Sequence, residues 1–422
     1  MTQEMQLVVT TNKQYVPVTQ TQQLIYVLVS AQPSSVLART RMGLNFGFVL
    51  DRSGSMRGAK MDRLKQAMEV AAARLGPSDR VSVTVFNDSA QILSASGLLS
   101  EQRSLAFRVR SLRAGGGTQM ARGLSLGLRE VFRHFDRQLS NQVLLFTDGQ
   151  TYGDEEQCLK LAREAGEHHI AIQALGLGDD WNEDLLDQMA QSSGGIADLI
   201  ESPDEIVPLF TQTVERSQKA VVRNAALVLR LVPGVTPRQV WQVTPLLANL
   251  GYMPIGENDV QIDMGELDAE QGKSVLVELL LPPRPAGNYR IAQAQVTYDL
   301  PQADKTGLQT RQDVILDYTG DATLARRYDP AIMNLVEKVT AFKLQTRALD
   351  EARMGNVAAA TKKLRSAATR LLEMGEADLA RSAQAEADNL ERSGQMSAAG
   401  TKKLRYQTRK LTQRLSDLPE DM

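Results

Sequence analysis

Residues 46–56 read FGFVLDRSGSM, and the fold turns on how this stretch is parsed. Phe46, Phe48, Val49 and Leu50 form an apolar run that stops at Asp51, with Ser53 and Ser55 following at spacings of two. A short apolar run bounded by small polar residues is the pattern of a buried strand in a parallel sheet. The loop after it offers one carboxylate and two hydroxyls, hard oxygen donors of the kind that Mg²⁺ and Ca²⁺ prefer. Asp and Ser also serve routinely as turn and helix-cap residues, so any one of them alone says little.

Outward from this stretch, residues 42–219 alternate strands and helices. Met61, Leu64, Met68, Ala72 and Leu75 fall on one face of a helix over 59–75. Val81, Val83 and Val85 mark a strand, 91–94 an edge hairpin, and 100–112 a helix capped by Ser100. Ala114-Gly115-Gly116-Gly117 opens a further helix with Leu124, Leu128, Val131 and Phe135 on one face. Strands at 143–146, 170–177 and 196–200 then alternate with helices at 159–165, 183–191 and 203–216. The alternation predicts an α/β domain with a doubly wound, mainly parallel sheet. In such sheets ligands bind beyond the carboxyl ends of strands, where the strand order reverses. Asp51 follows one strand, Asp148 of Thr147-Asp148-Gly149 follows another, and Thr118 ends the glycine-rich loop before a helix. Three loops therefore present oxygen donors on the side where a site is expected.

The flanks read differently. Residues 220–322 return to alternating strands, for example Leu227-Leu229-Leu231 and Val275-Val277-Leu279-Leu281, with Pro/Gly turns, which suggests an antiparallel β-sandwich. Residues 1–41 carry two or three strands too few to stand alone, so they are expected to complete that sandwich, with the α/β domain as an insertion. Trp241 is assigned to the sandwich core. Residues 323–422 read as helices: Ile332, Leu335, Val339 and Phe342 form one stripe, Val357, Leu364, Leu371 and Met374 a second. Gly355, Gly375 and Gly394 are expected as C-caps. Thr361-Lys-Lys-Leu-Arg365 recurs at 401–405, a hint of two related helix pairs.

Composition narrows the function. A net charge of −2 over 422 residues gives no global pull toward nucleic acid or an anionic membrane. Cys158 is the single cysteine, so no disulfide forms within the chain and a reducing, cytoplasmic setting is expected. The start, MTQEMQLVV, lacks the regions of a signal peptide, and no stretch has the length of a membrane span. No nucleophile–base set, G-x-S-x-G elbow or P-loop lysine occurs, so the chain does not read as an enzyme. His168-His169 reads as a helix-to-strand turn, Asp179, Asp180, Glu183 and Asp184 as helix-capping residues, and Cys158 as a small buried side chain. Lys402, Lys403, Arg405, Arg409, Lys410 and Arg414 make a basic terminal helix, expected as a solvated face.

Asp51-x-Ser53-x-Ser55, Thr118 after a glycine run and Thr147-Asp148-Gly149 together resemble a von Willebrand factor type A (VWA) domain over 42–219. The pattern looks like that family's metal-ion-dependent adhesion site (MIDAS), with all five positions present. The wider arrangement is similar to bacterial calcium-activated-chloride-channel-like proteins and to the core of inter-alpha-trypsin inhibitor heavy chains. The resemblance implies that Ser53 and Ser55 bind a divalent metal through their hydroxyls. It gives Thr118, Asp51 and Asp148 direct or water-mediated roles. It further implies Mg²⁺ first, with Ca²⁺ or Mn²⁺ accepting the same oxygens, and a protein partner that offers an Asp or Glu carboxylate. The alternative it suggests is a VWA subunit working with an AAA+ ATPase in assembly or metal insertion.

Overall fold

A computed structural model describes residues 4–34, 37, 42–102 and 104–417, the side chains of 414–417 excepted. Arg414 of the basic stretch thus lies outside the described side chains. Two compact units emerge. One comprises Arg41–Ala220; the other joins Met1–Thr40 to Val221–Met422.

Three strands open the chain: β1 (Met5–Thr11), β2 (Tyr15–Pro17) and β3 (Gln23–Pro33). The α/β unit follows, with β4 (Leu44–Asp51), α1 (Ala59–Arg74), β5 (Arg80–Phe86), β6 (Ala90–Leu98), α2 (Leu105–Arg110) and α3 (Met120–Phe132). It continues with β7 (Ser140–Thr147), α4 (Glu155–Glu167), β8 (Ala171–Leu177), α5 (Glu183–Ser193), β9 (Ala197–Ile200) and α6 (Ile206–Lys219). The sheet order is β6-β5-β4-β7-β8-β9, with every pair parallel except the edge hairpin β5–β6. The chain builds outward from β4 to β6, then returns to β7 and builds the other way. The order reverses between β4 and β7, so their carboxyl ends flank the crevice where this fold binds ligands.

The apolar run at 46–50 becomes a strand because both its faces are covered. Leu44, Phe46, Phe48 and Leu50 join a buried cluster with Leu64, Met68, Phe210 and Val214 of α1 and α6. On the other face α3 lies unusually close. A Cβ on Gly127 would stand 2.2 Å from Val49, and one on Gly123 would stand 2.5 Å from Phe86. The two glycines, four apart on one helical face, permit that approach and so bring the start of α3 to the strand ends.

The segment read as one helix over 100–112 is a correction. A 3-10 turn spans Leu99–Glu101, and α2 begins only at Leu105. Gln102 explains the break, because its amide donates to the carbonyls of Ala95 (3.2 Å) and Gly97 (3.1 Å) and accepts from Ser94 (2.8 Å). These bonds tie the chain to the edge hairpin, an alternative that local helical periodicity does not register. Ser104, not Ser100, stands at the N-cap position of α2, without a side-chain cap.

In the second unit β10 (Ala220–Leu231), β11 (Thr236–Thr244), β12 (Ala248–Asn249), β13 (Met253–Pro254), β14 (Asp259–Asp268), β15 (Lys273–Leu281), β16 (Gly287–Leu300) and β17 (Lys305–Thr319) form two sheets with the opening strands. The orders are β1-β3-β15-β11-β12 and β13-β14-β10-β16-β17-β2. The pairs β1–β3, β3–β15, β15–β11, β11–β12, β13–β14, β10–β16 and β16–β17 are antiparallel, and the β17–β2 edge is parallel. Val27, Val29 and Val277 of the first sheet share a core with Leu227, Ala294 and Leu316 of the second.

Helices α7 (Ala322–Ala325), α8 (Pro330–Arg353), α9 (Val357–Glu373), α10 (Ala377–Ser393) and α11 (Ala398–Arg409) complete this unit. Asp329 caps α8 by accepting from the Ile332 amide at 3.0 Å, with Pro330 in the first turn. Gly355, Gly375 and Gly394 all take positive φ where helices end. Trp241 is a second correction. It faces away from the sandwich core and packs with Leu276, Ile332, Leu335 and Phe342 between sheet and helices. A strand covered on both faces has two apolar sides, and alternation alone does not say which one a tryptophan takes. The basic terminal helix is also not wholly solvated: Lys402 is buried, and Arg409 stacks 5.0 Å from the Tyr406 ring centroid. Leu364 and Leu404, the equivalent leucines of the repeated pentapeptide, are both fully buried. No helix among the described residues is long and apolar enough to cross a membrane.

Candidate metal centre

The loops after β4 and β7, with the loop before α3, meet at the switch point. The first and last are stitched by backbone bonds in both directions: Gly54 N–H to the Gly116 carbonyl at 2.9 Å, Gly115 N–H to the Arg52 carbonyl at 2.8 Å. Asn87, just past β5, donates to the Gly115 carbonyl at 2.6 Å, and its own carbonyl accepts from Gln119 N–H at 2.8 Å. Gly116 needs to be glycine, since its φ is +87° and a Cβ would stand 2.3 Å from the Asp88 carboxylate.

Within this frame the side chains form a polar chain. Asp51 is fully buried at the end of β4. Its Oδ1 accepts from Ser53 N–H at 2.7 Å and its Oδ2 from the Thr147 hydroxyl at 2.6 Å. The Ser55 hydroxyl donates to Asp148 Oδ1 at 2.7 Å. That spends its proton, so the 2.9 Å contact between Ser53 Oγ and Ser55 Oγ is donated by Ser53. Asp148, also buried, gives its second oxygen to the Lys60 ammonium. Thr118 sits across the crevice: a Cβ on Gly149 would lie 3.7 Å from its Oγ1 and 3.8 Å from Ser55 Oγ. All five residues singled out from the sequence, Asp51, Ser53, Ser55, Thr118 and Asp148, therefore converge on one crevice.

Burial sets the electrostatics. Burial first of all pushes the Asp51 carboxyl up to about 6, helped by the neighbouring Asp148 charge and opposed by the bonds from Thr147 and Ser53. A buried carboxylate pair of this kind favours a cation beside it. The donor spacing suits a small divalent ion. Metal–oxygen distances of about 2.1 Å in an octahedron imply oxygen–oxygen edges of about 3 Å. Ser53 Oγ, Ser55 Oγ and Asp148 Oδ1 stand 2.9 and 2.7 Å apart in sequence. With two carboxylates and several hydroxyls, the set is oxygen-only. Among the described residues no cluster of three or more His, Cys, Asp or Glu side chains forms a soft or carboxylate-rich metal cage.

Sequence reasoning missed the supporting residues. Thr147 locks Asp51. Thr151 accepts from Met120 N–H at 3.2 Å and donates to Asp154, which accepts from Ala121 N–H at 2.8 Å, so both cap α3 just beyond Thr118. In the sequence Lys60 stands out only as part of a helix. Apart from the local Thr151–Asp154 bond, their partners lie 31 to 96 positions away, which no local pattern reports. The cap of α5 is Asn182, not one of the acidic residues Asp179, Asp180, Glu183 and Asp184 expected there, although Glu183 and Asp184 do lie in its first turn. His168 closes α4 on the Glu164 carbonyl at 2.9 Å, and Cys158 is buried with its thiol pushed up by burial.

Residues 45–211 match the von Willebrand factor type A domain, and residues 330–414 match the Sll0103-like C-terminal alpha-helical domain. The chain is 33% identical over 272 residues to the uncharacterized protein sll0103 of Synechocystis, covering 64% of each protein. It is 29% identical over 167 residues to mouse inter alpha-trypsin inhibitor heavy chain 4, covering 37% of this chain and 18% of that protein. The chain thus spans less than two thirds of either relative's length. In fold it is similar to the von Willebrand factor type A protein of Catenulispora acidiphila, with a TM-score of 0.77 at 19% identity over 96% of both chains.

Proposed function

We propose that this VWA-domain protein, with its Sll0103-like helical domain and its kinship to inter-alpha-trypsin inhibitor heavy chains, is a non-catalytic, metal-dependent protein-binding module. VWA domains typically mediate protein–protein interactions and commonly hold a divalent metal. The reading assigns Ser53, Ser55 and Thr118 as hydroxyl ligands, with Asp148 beside them and Asp51 behind as the buried carboxylate that orients the Ser53 loop. The observation that carries it is the run of three oxygens at 2.9 and 2.7 Å at the sheet's switch point. Bound there, Mg²⁺ (or Ca²⁺ or Mn²⁺) would offer an electrophilic position to an external carboxylate oxygen, because two protein carboxylates only offset its charge and the other ligands are neutral. Ser55 is exposed at the crevice mouth, so a partner's Asp or Glu can reach that position, and Thr118 faces it from the other loop.

Capture from a cell extract on immobilised protein, with Mg²⁺ or with chelator, tests the reading. A partner retained only with Mg²⁺, and lost with Ser55→Ala, is the expected result. Retention that ignores both chelator and substitution would refute it. Mg²⁺-dependent retention of an ATPase would favour the AAA+ alternative.

A further inference from the structure

We propose that Lys60 is a tethered cation that competes with the divalent ion for Asp148, so that metal binding is an exchange of one cation for another. The inference rests on the metal site proposed above. Asp148 has no exposed side-chain surface, and a carboxylate so buried requires a counter-charge. The Lys60 ammonium supplies it at Oδ2, while Ser55 holds Oδ1. A divalent ion seated among Ser53, Ser55 and Asp148 would face the same carboxylate, within a few ångströms of a positive ammonium in a partly desolvated crevice. Two like charges so placed repel strongly.

The placement of Lys60 supports a movable rather than a fixed role. It stands in the first turn of α1, where the helix dipole disfavours a cation and where Asp62 is the acidic residue. Its pairing with Asp148 offsets that disadvantage. Its side chain keeps about a third of its surface exposed, at 32%, and the adjoining Arg57, Gly58 and Ala59 are exposed. A four-carbon stem anchored beside open solvent can swing its ammonium outward without moving the helix. Ser53 and Asp51, by contrast, are buried and held by backbone bonds. Lys60 can thus leave Asp148 without a change in the frame.

Calorimetric titration with Mg²⁺ and Mn²⁺ on the full chain tests this, using wild type, Lys60→Met and Asp148→Ala. Lys60→Met should bind either ion more tightly by about tenfold or more, as expected when a competing half-buried pair is removed. The same variant should melt lower than wild type in chelator and gain more in melting temperature on metal addition. A ligand-positioning role for Lys60 predicts the reverse. Equal or weaker binding by Lys60→Met, with wild type binding normally, overturns the exchange and leaves the metal site standing. Binding by neither protein removes the metal reading and the exchange with it. Should Lys60→Met fail to fold, Lys60→Gln keeps a donor to Oδ2 without the charge and must show the same tighter binding.

Discussion

Two lysines in this molecule neutralise buried carboxylates, and their surroundings differ. Lys60 meets Asp148 at the open end of a parallel sheet, with the hydroxyl of Ser55 on the same carboxylate and Ser53 next in line. Lys343 of α8 meets Glu278 of β15 inside the second unit, with the Trp241 ring 5.2 Å from its ammonium. The lysine side chains are 32% and 19% exposed, the carboxylates 0% and 7%. The Lys343 pair is walled by packed side chains, and no other oxygen donor bonds Glu278 among the described contacts. Such a pair fixes how helix and sheet dock. The Lys60 pair sits beside the Ser53 and Ser55 hydroxyls, where the proposed metal would be seated. The same chemistry is structural in one place and exchangeable in the other, and the difference lies in the neighbouring donors.

The same substitution in both places separates the two roles. Lys343→Met strands Glu278 in a buried site and should destabilise the second unit by about 3 kcal/mol, the usual cost of removing one partner of a buried pair. Chemical denaturation would measure it, and metal affinity should not change. Lys60→Met should cost less stability, because Asp148 keeps the Ser55 hydroxyl as a donor and Lys60 is the more exposed of the two lysines, while altering metal affinity. If Lys60→Met proved the more destabilising of the two and left metal binding untouched, the comparison would collapse.

A smaller effect follows from Asp51. Its folded-state pKa is raised from the ordinary carboxylate value to about 6, mainly by burial. The folded protein therefore holds a proton there more readily than the unfolded chain does. In chelator, the stability this group contributes is full below its unfolded pKa, and is lost as pH rises through about 6. A metal competes with that proton, so wild-type affinity for Mn²⁺ should fall between pH 7 and pH 5, by up to about tenfold for one proton displaced. Calorimetry at the two pH values checks this, and an affinity that rose toward pH 5 would contradict the linkage.

Much of this was legible in the sequence. The apolar run ending in Asp51 marked the central strand, and the β/α alternation marked the doubly wound sheet, because both faces of such strands must be covered by helices. The three oxygen-bearing loops could be placed on one side of that sheet by topology alone. What escaped was whatever depends on a long-range partner. Gln102 broke a helix by bonding to the edge hairpin, Trp241 turned to the helices instead of the sandwich core, and Lys402 became buried in a helix that reads as solvated. Lys60 looked like an ordinary surface position of α1, since its partner lies 88 residues on. Periodicity reports which face is apolar; it does not report which atom a polar tip will meet.

The central claim is that a divalent cation binds where Ser53, Ser55, Thr118 and Asp148 meet in front of Asp51. Calorimetric titration of Mg²⁺ into wild type and into Asp148→Ala tests it most directly. The account predicts saturable one-site binding by wild type and no measurable binding by the variant, with both proteins folded by circular dichroism. Equal binding by the two would place the metal elsewhere and contradict the account.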